Sequence, residues 1–391
     1  MKRIVFFCIP AHGHTNPTLG VVRELVNRGH QVWYYSYEMF RNKIESTGAH
    51  FIPCDGHDME LKLTPGEASR LGNDMVLSTR VLVDTTLSLD EMVCRDMQNL
   101  HPDCIVADSM AVWGKAVAQK LGIPFVSSTT TFAFNKHSAK VMPQSLGELF
   151  RFLITMPRCS RHIKRLQMKG YPVKNVLDIL QNDENTHTIV YTSEEFQPCS
   201  ETFSKEYYSF VGPSVRPAES VVEKQQEKLI YISMGTVNND MLPFYRVCIH
   251  AFADKDYQVI ISVGNQVNVE QFGALPENIK VYSSVDQIAV LQKADVFLTH
   301  CGMNSVSEAL YFGVPLVMHP ITSEQKGVAN RVSQMEAGVF LEKETRDAVW
   351  SAVNCVLQTP YYAGNARKIG QGFHNCAGAS AAADKILEVC R

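Results

Sequence analysis

The hydrophobic and polar positions of this chain fall into short apolar runs separated by segments with helical spacing. Ile4 to Ile9, Gln31 to Ser36 and His50 to Pro53 are runs bounded by polar turns, which predicts buried strands. Between them, Pro17 or Thr18 to Arg28 carries apolar residues at helical spacing and is stopped by Gly29; a second helix is predicted around Phe40 to Ser46. The pattern continues with a helix from Val81 to Leu100, a strand Cys104 to Ala107, a helix to Leu121 and a strand Ile123 to Ser127. Thr188 to Thr192 and Tyr208 to Val211 close this half. Strands and helices in strict alternation call for a parallel sheet with right-handed crossovers.

The pattern breaks at Gly212-Pro213-Ser214-Val215-Arg216-Pro217 and a charged stretch to Lys228, then restarts. Leu229 to Ser233, Gln258 to Val263 and Ile279 to Tyr282 read as strands, with a helix from Met241 to Ala253. Lys293 to Pro320 then reads as strand, polar turn, helix, tight turn and strand. The expected architecture is therefore α/β, with two Rossmann-like doubly wound sheets and a ligand cleft at the carboxyl ends of the strands. Residues 1–213 form the first domain, 214–227 a linker and 228–391 the second domain, whose terminal helices are expected to pack back on the first.

Composition narrows the class. The chain has 391 residues, 45% hydrophobic and 20% charged, with a formal net charge of -3, which fits a soluble globular protein and argues against a nucleic-acid partner. One stretch, Arg151 to Lys174, is locally basic; it reads as a solvated helix face, with an acceptor-side or membrane-surface helix as the alternative. Eleven cysteines without a C-x-x-C pair suggest reduced thiols and a cytoplasmic protein. The N-terminal apolar run is too short for a signal core and reads as the first strand.

Candidate chemistry collects in the turns after the strands. His300-Cys301-Gly302-Met303-Asn304-Ser305 joins a strand to a helix, with Gly302 permitting close backbone approach and Asn304 or Ser305 placed to cap. A helix N-terminus beside an imidazole and a hydroxyl can bind an anion, although a capped α/β turn has the same appearance. Gly235 and Thr236 end another strand with a small turn that could face the same anion. In the first half His14 follows the first strand and Asp108 lies just past the strand Cys104 to Ala107, at the same sheet edge. A histidine oriented by a carboxylate is a general base. Asp108 as a simple helix cap, or His12 as the base, are the competing readings. The turn after the first strand lacks G-x-G-x-x-G, which argues against a nicotinamide-dependent oxidoreductase.

Taken together, IPAHGHTNP, VGP, ISMGT, HCGMNS, Glu308, GVP and EQ resemble, in that order, the signature of the family-one glycosyltransferases, closest to the bacterial macrolide and flavonoid enzymes. The resemblance implies the two-domain GT-B fold and an inverting transfer of a hexose, glucose from UDP-glucose, to a hydroxyl of a hydrophobic small molecule. It makes His14, not His12, the base and Asp108 its partner. It places His300 and the amides around Gly302, Asn304 and Ser305 on the diphosphate with Gly235 and Thr236 assisting, Glu308 on the ribose, and Glu324 and Gln325 on the transferred sugar. Many members have Trp-x-Pro-Gln before the signature; here it is Ser284-Val285-Asp286-Gln287, so Val285 and Gln287 keep their places in the donor site while the stacking Trp is missing. No cofactor or metal is expected, because the departing diphosphate would be stabilised by the helix dipole, His300 and backbone amides. The D-x-D at Asp254-Lys255-Asp256 reads as a solvated turn. A glycolipid synthase at a membrane surface and a catalytically silent nucleotide-sugar binder are the alternatives.

Overall fold

Alternate residues of the first strand, β1 (Arg3–Phe7), enter opposite cores: Val5 and Phe7 pack on one face of the sheet and Ile4 and Phe6 on the other. Burial on both faces is why the strand reads as one continuous apolar run. The strands that follow are β2 (Gln31–Ser36), β3 (His50–Pro53), β4 (Cys104–Asp108), β5 (Phe125–Thr129), β6 (Thr188–Val190) and β7 (Tyr208–Phe210). They form a seven-stranded sheet in the order β3-β2-β1-β4-β5-β6-β7, parallel throughout. The order reverses between β1 and β4, and the crevice of such a sheet opens at the carboxyl ends of those two strands.

The structure is a computed structural model that describes residues 1–57, 59, 62–68, 74–138, 146–180, 182–235 and 240–390. The chain divides into two units, Met1–Ser214 with Ala377–Arg391, and Val215–Cys376. The second unit holds β8 (Leu229–Ser233), β9 (Gln258–Ser262), β10 (Ile279–Tyr282), β11 (Val296–Thr299), β12 (Leu316–Met318) and β13 (Gly338–Phe340). Their order is β10-β9-β8-β11-β12-β13, again all parallel, with the reversal between β8 and β11.

Several sequence expectations are corrected here. The helix after β1, α1 (His12–Asn27), starts five residues or more before the expected Pro17 or Thr18 and carries Pro17 inside it. Proline has a helical φ, and although it lacks the N–H that would bond four residues back and its ring crowds the carbonyl there, the helix runs through it. Residues 10–17 are therefore not one long turn, and His14 stands in the first turn of a helix. Strand β4 extends to include Asp108. The helix after β11 starts at Met303 with Gly302 as its N-cap and no side-chain capping bond, so neither Asn304 nor Ser305 caps it.

The charged stretch after residue 214 is docked on the second unit and is no free linker. Lys224 Nζ lies 2.6 Å from Asp295 Oδ2, and Gln225 donates its backbone N–H to Gln258 Oε1 at 2.7 Å. Three helices, Arg346–Gln358, Pro360–His374 and Gly378–Val389, follow β13. The last of them puts Ala382, Ala383 and Ile386 into the core of the first sheet, so residues 377–391 belong to the first unit and not to a second domain of 228–391. No helix among the described residues is long and apolar enough to cross a membrane.

Candidate active site

In the first unit, the carboxyl ends of β1 and β4 bring His14 and Asp108 together. His14 Nδ1 lies 2.8 Å from Asp108 Oδ2; the Asp108 side chain is fully buried, while the His14 side chain keeps 21% of its surface exposed. The two carboxylate oxygens of Asp108 have separate tasks. Oδ2 takes the imidazole, and Oδ1 accepts the backbone N–H of Met110 at 2.8 Å, which fixes the turn into the helix Val112–Leu121. Asp108 is not the cap of that helix, whose N-cap is Ala111 without a side-chain bond; its Oδ1 holds the turn before it. With Nδ1–H given to the carboxylate, Nε2 carries the ring's lone pair, the tautomer a general base requires. His12 is set aside by geometry: its ring packs edge-on against Phe40 at 4.9 Å, and burial followed by the charge of Lys43 lowers its pKa.

A residue the sequence reading did not single out joins this pair. Thr130, the residue after β5, sits with its Oγ1 3.1 Å from His14 Nδ1 and is nearly buried. Register explains its reach, because Asp108 pairs with Ser128 across β4 and β5. Its signal in the sequence was its position, directly beyond a strand end in a Thr-rich run. Beyond it, the polar segment 128–138 is tied down: Ser128 donates to Tyr191 OH at 3.2 Å and Asn135 Nδ2 to Thr202 Oγ1 at 2.8 Å.

In the second unit, His300 follows β11 and Gly235 lies two residues past β8, the neighbouring strand. The His300 ring fills the space between two glycines. A Cβ on Gly235 would stand 2.6 Å from His300 Cε1 and Nε2, and one on Gly302 would stand 2.6 Å from Nε2. Gly235 also has φ +82°, open to glycine and strained for other residues. Cys301, between His300 and Gly302, holds a left-handed φ of 66° with a side chain, a conformation that costs about 1 kcal/mol and concentrates at functional turns. Thr299 Oγ1 accepts its N–H at 3.3 Å. Burial pulls the His300 pKa down to about 4, against the Ser233 carbonyl, so the ring is neutral near pH 7. A neutral ring can meet an anion only as a hydrogen-bond donor, not as a cation. Thr236 lies outside the described residues.

Glu308, one turn into the helix Met303–Tyr311, is bonded by Gln287 Nε2 at 2.5 Å on Oε2, and the same nitrogen stands 3.4 Å from Ser305 Oγ. Burial raises the Glu308 pKa, while Gln287 and Arg216 oppose the rise. Asp286, where many family members have proline, clamps the backbone N–H groups of Glu219 at 2.6 Å and Ser220 at 2.9 Å and the guanidinium of Arg216 at 2.6 Å. Burial works to raise its carboxyl, but these donors outweigh it and hold the pKa below the usual value. Val285 precedes it, half-buried, and Ser284 is exposed.

Glu324 and Gln325 open the helix Ser323–Gln334 after β12. Gln325 forms a capping box with Thr322: Oε1 accepts the N–H of Thr322 at 3.0 Å and that of Ile321 at 2.8 Å, and Thr322 Oγ1 accepts the N–H of Gln325 at 3.3 Å. The amide oxygen is thus committed to the helix end. The D-x-D lies in an irregular segment before β9, with Lys255 Nζ over the Trp350 ring at 4.6 Å.

Comparison with known proteins follows from this geometry. Residues 212–376 match the family described as UDP-glucoronosyl and UDP-glucosyl transferase. An uncharacterised UDP-glucosyltransferase of Bacillus subtilis is 32% identical over 100% of this chain and 99% of its own length. An NDP-glycosyltransferase of Bacillus licheniformis is 33% identical, over 98% of this chain and 97% of the relative. Oleandomycin glycosyltransferase of Streptomyces antibioticus is 25% identical, over 98% and 90%. Among solved structures, the glycotransferase of kitacinnamycin aligns with a TM-score of 0.87 at 26% identity, covering 100% of this chain and 99% of that one. The calicheamicin glycosyltransferase aligns with a TM-score of 0.82 at 25% identity, over 100% and 98%.

Proposed function

This chain belongs to the UDP-glucoronosyl and UDP-glucosyl transferase family, and on that premise we propose that it transfers glucose from UDP-glucose to a hydroxyl of a hydrophobic natural product, inverting the anomeric centre. The observation that carries the reading is the 2.8 Å bond between His14 Nδ1 and the buried Asp108 carboxylate. It leaves a partly exposed imidazole with a basic nitrogen, the group an acceptor hydroxyl needs as it attacks. Relatives named for oleandomycin, and neighbours named for kitacinnamycin and calicheamicin, point to a natural product as acceptor.

In this reading the proton of the acceptor hydroxyl passes to His14 Nε2 while Asp108 stabilises the imidazolium that forms. The acceptor oxygen bonds to the anomeric carbon as the bond to the diphosphate breaks, so an α-linked donor gives a β-glycoside. The leaving diphosphate is met by the neutral His300 ring and the first-turn amides of the helix Met303–Tyr311. No resident metal is called for, since these donors supply the stabilisation. Glu308 accepts from the ribose diol, and Glu324 with the Gln325 amide nitrogen holds sugar hydroxyls.

The test is a UDP-release assay with several nucleotide sugars against phenolic, macrolide and sterol acceptors. Release that depends on acceptor and produces a β-glycoside is the expected result. Donor binding without acceptor-dependent release would instead mark a silent nucleotide-sugar binder.

A further inference from the structure

Tyr231 lies in the middle of β8, 1% exposed, opposite Phe297 of β11 and stacked on its ring at 4.6 Å. A buried tyrosine needs a partner for its hydroxyl. Here the hydroxyl donates to Gln287 Oε1 at 3.2 Å. The Tyr231 proton goes to Gln287 Oε1, since an amide oxygen only accepts. Burial raises the phenol pKa, so this O–H stays a donor at every working pH.

From these two bonds of Gln287, one accepted from Tyr231 and one donated to Glu308, we propose that Tyr231 is a positioning residue of the donor site, whose hydroxyl fixes the Gln287 amide so that its NH₂ end is held against Glu308. The inference rests on the donor reading above and deepens it: a hydroxyl inside β8 sets which end of the Gln287 amide meets Glu308. Orientation matters because an amide has two unlike ends. Held by Tyr231, Gln287 donates to Glu308 at 2.5 Å and favours the ionised carboxylate that a ribose diol requires. Turned over, it presents its carbonyl oxygen to the carboxylate and favours the protonated acid. The other charged groups acting on Glu308 are Arg216, which favours ionisation, and Asp286, which opposes it.

The sign of the pH effect follows. Ribose binding is full above the Glu308 pKa and is lost as pH falls through it. Freeing the amide raises that pKa, so the loss begins at a higher pH. The test is calorimetric titration of UDP into the full-length wild type and Tyr231→Phe from pH 5 to 8.5, with thermal unfolding and donor kinetics of both. We expect UDP to bind about 3- to 10-fold more weakly to Tyr231→Phe at neutral pH, the loss falling on donor KM more than on kcat. The acid limb of binding should move up by roughly half a unit or more. A Tyr231→Phe variant with unchanged affinity and an unchanged acid limb overturns the inference, as does one that loses affinity evenly across pH with a lowered melting temperature. Wild-type protein that binds no UDP overturns the donor reading itself.

Discussion

His14 Nδ1 and Asp108 Oδ2 stand 2.8 Å apart across a separation of 94 residues, joined by the carboxyl ends of adjacent parallel strands. If this pair is the base and its orienter, His14→Ala should lower turnover by about two to four orders of magnitude. Asp108→Asn should cost about a hundredfold or more, because the amide no longer favours the Nδ1–H tautomer. Donor affinity should be little changed in either variant. Transfer at near wild-type rate by His14→Ala would remove the assignment.

Gly235 is the floor under His300. Gly235→Ala puts a Cβ 2.6 Å from the imidazole and asks alanine to hold φ +82°. The ring must move, so UDP affinity should fall at least about tenfold, and stability by about 1 to 3 kcal/mol. Calorimetry and urea unfolding on the same preparations separate the two effects. An alanine variant that binds UDP as tightly as wild type would show that the ring does not need this place.

The lowered pKa of His300 has a consequence for stability. Its folded value is about 4 against an ordinary value of 6.5, because burial disfavours the charged ring. Below pH 6.5 the unfolded chain takes up a proton that the folded chain refuses. Stability is therefore present above that pH and is lost as pH falls towards 4. His300→Asn should lose less stability between pH 7 and pH 4.5 than wild type, read as the change in urea midpoint. Parallel losses in the two proteins would contradict the assignment.

Gln325 has two roles to separate. Thr322→Ala removes one half of the capping box and should cost about 1 kcal/mol with little effect on sugar preference. Gln325→Ala should cost a similar amount and also raise the KM for UDP-glucose relative to UDP binding alone. If the two variants behave alike in kinetics, Gln325 is a cap and no more.

The final helix can be tested for membership in the first core. Ile386 is fully buried there with Ala382 and Ala383. Ile386→Ala should destabilise the first unit by about 2 to 5 kcal/mol. Limited proteolysis should show residues of that unit opening first, and an unchanged stability would separate the helix from that core.

Much of this protein was legible in the chain because its signals are local. Apolar runs on both faces of a parallel sheet mark β1, β4, β8 and β11 without reference to anything distant, and the signature from His300 to Gln325 is read in order along one stretch. The start of α1 is hidden in the sequence because Pro17 looks like a boundary, while the helix runs through it from His12. The reach of Asp108 into β4, and Ala377 as the point where the chain rejoins the first unit, were likewise decided by strand pairing and by which core had space for Ile386.

Sequence alone determined the alternation of elements, the two Rossmann-like halves and the residue types at each strand end, since these follow from periodicity and turn chemistry. Only the tertiary structure decided that Asp108 reaches His14 from the end of β4, that Thr130 joins them, that the His300 ring lies between two glycines, and that Tyr231 meets Gln287. Those are contacts between residues brought together by strand order and register, and their energies depend on burial that no single segment of the chain contains.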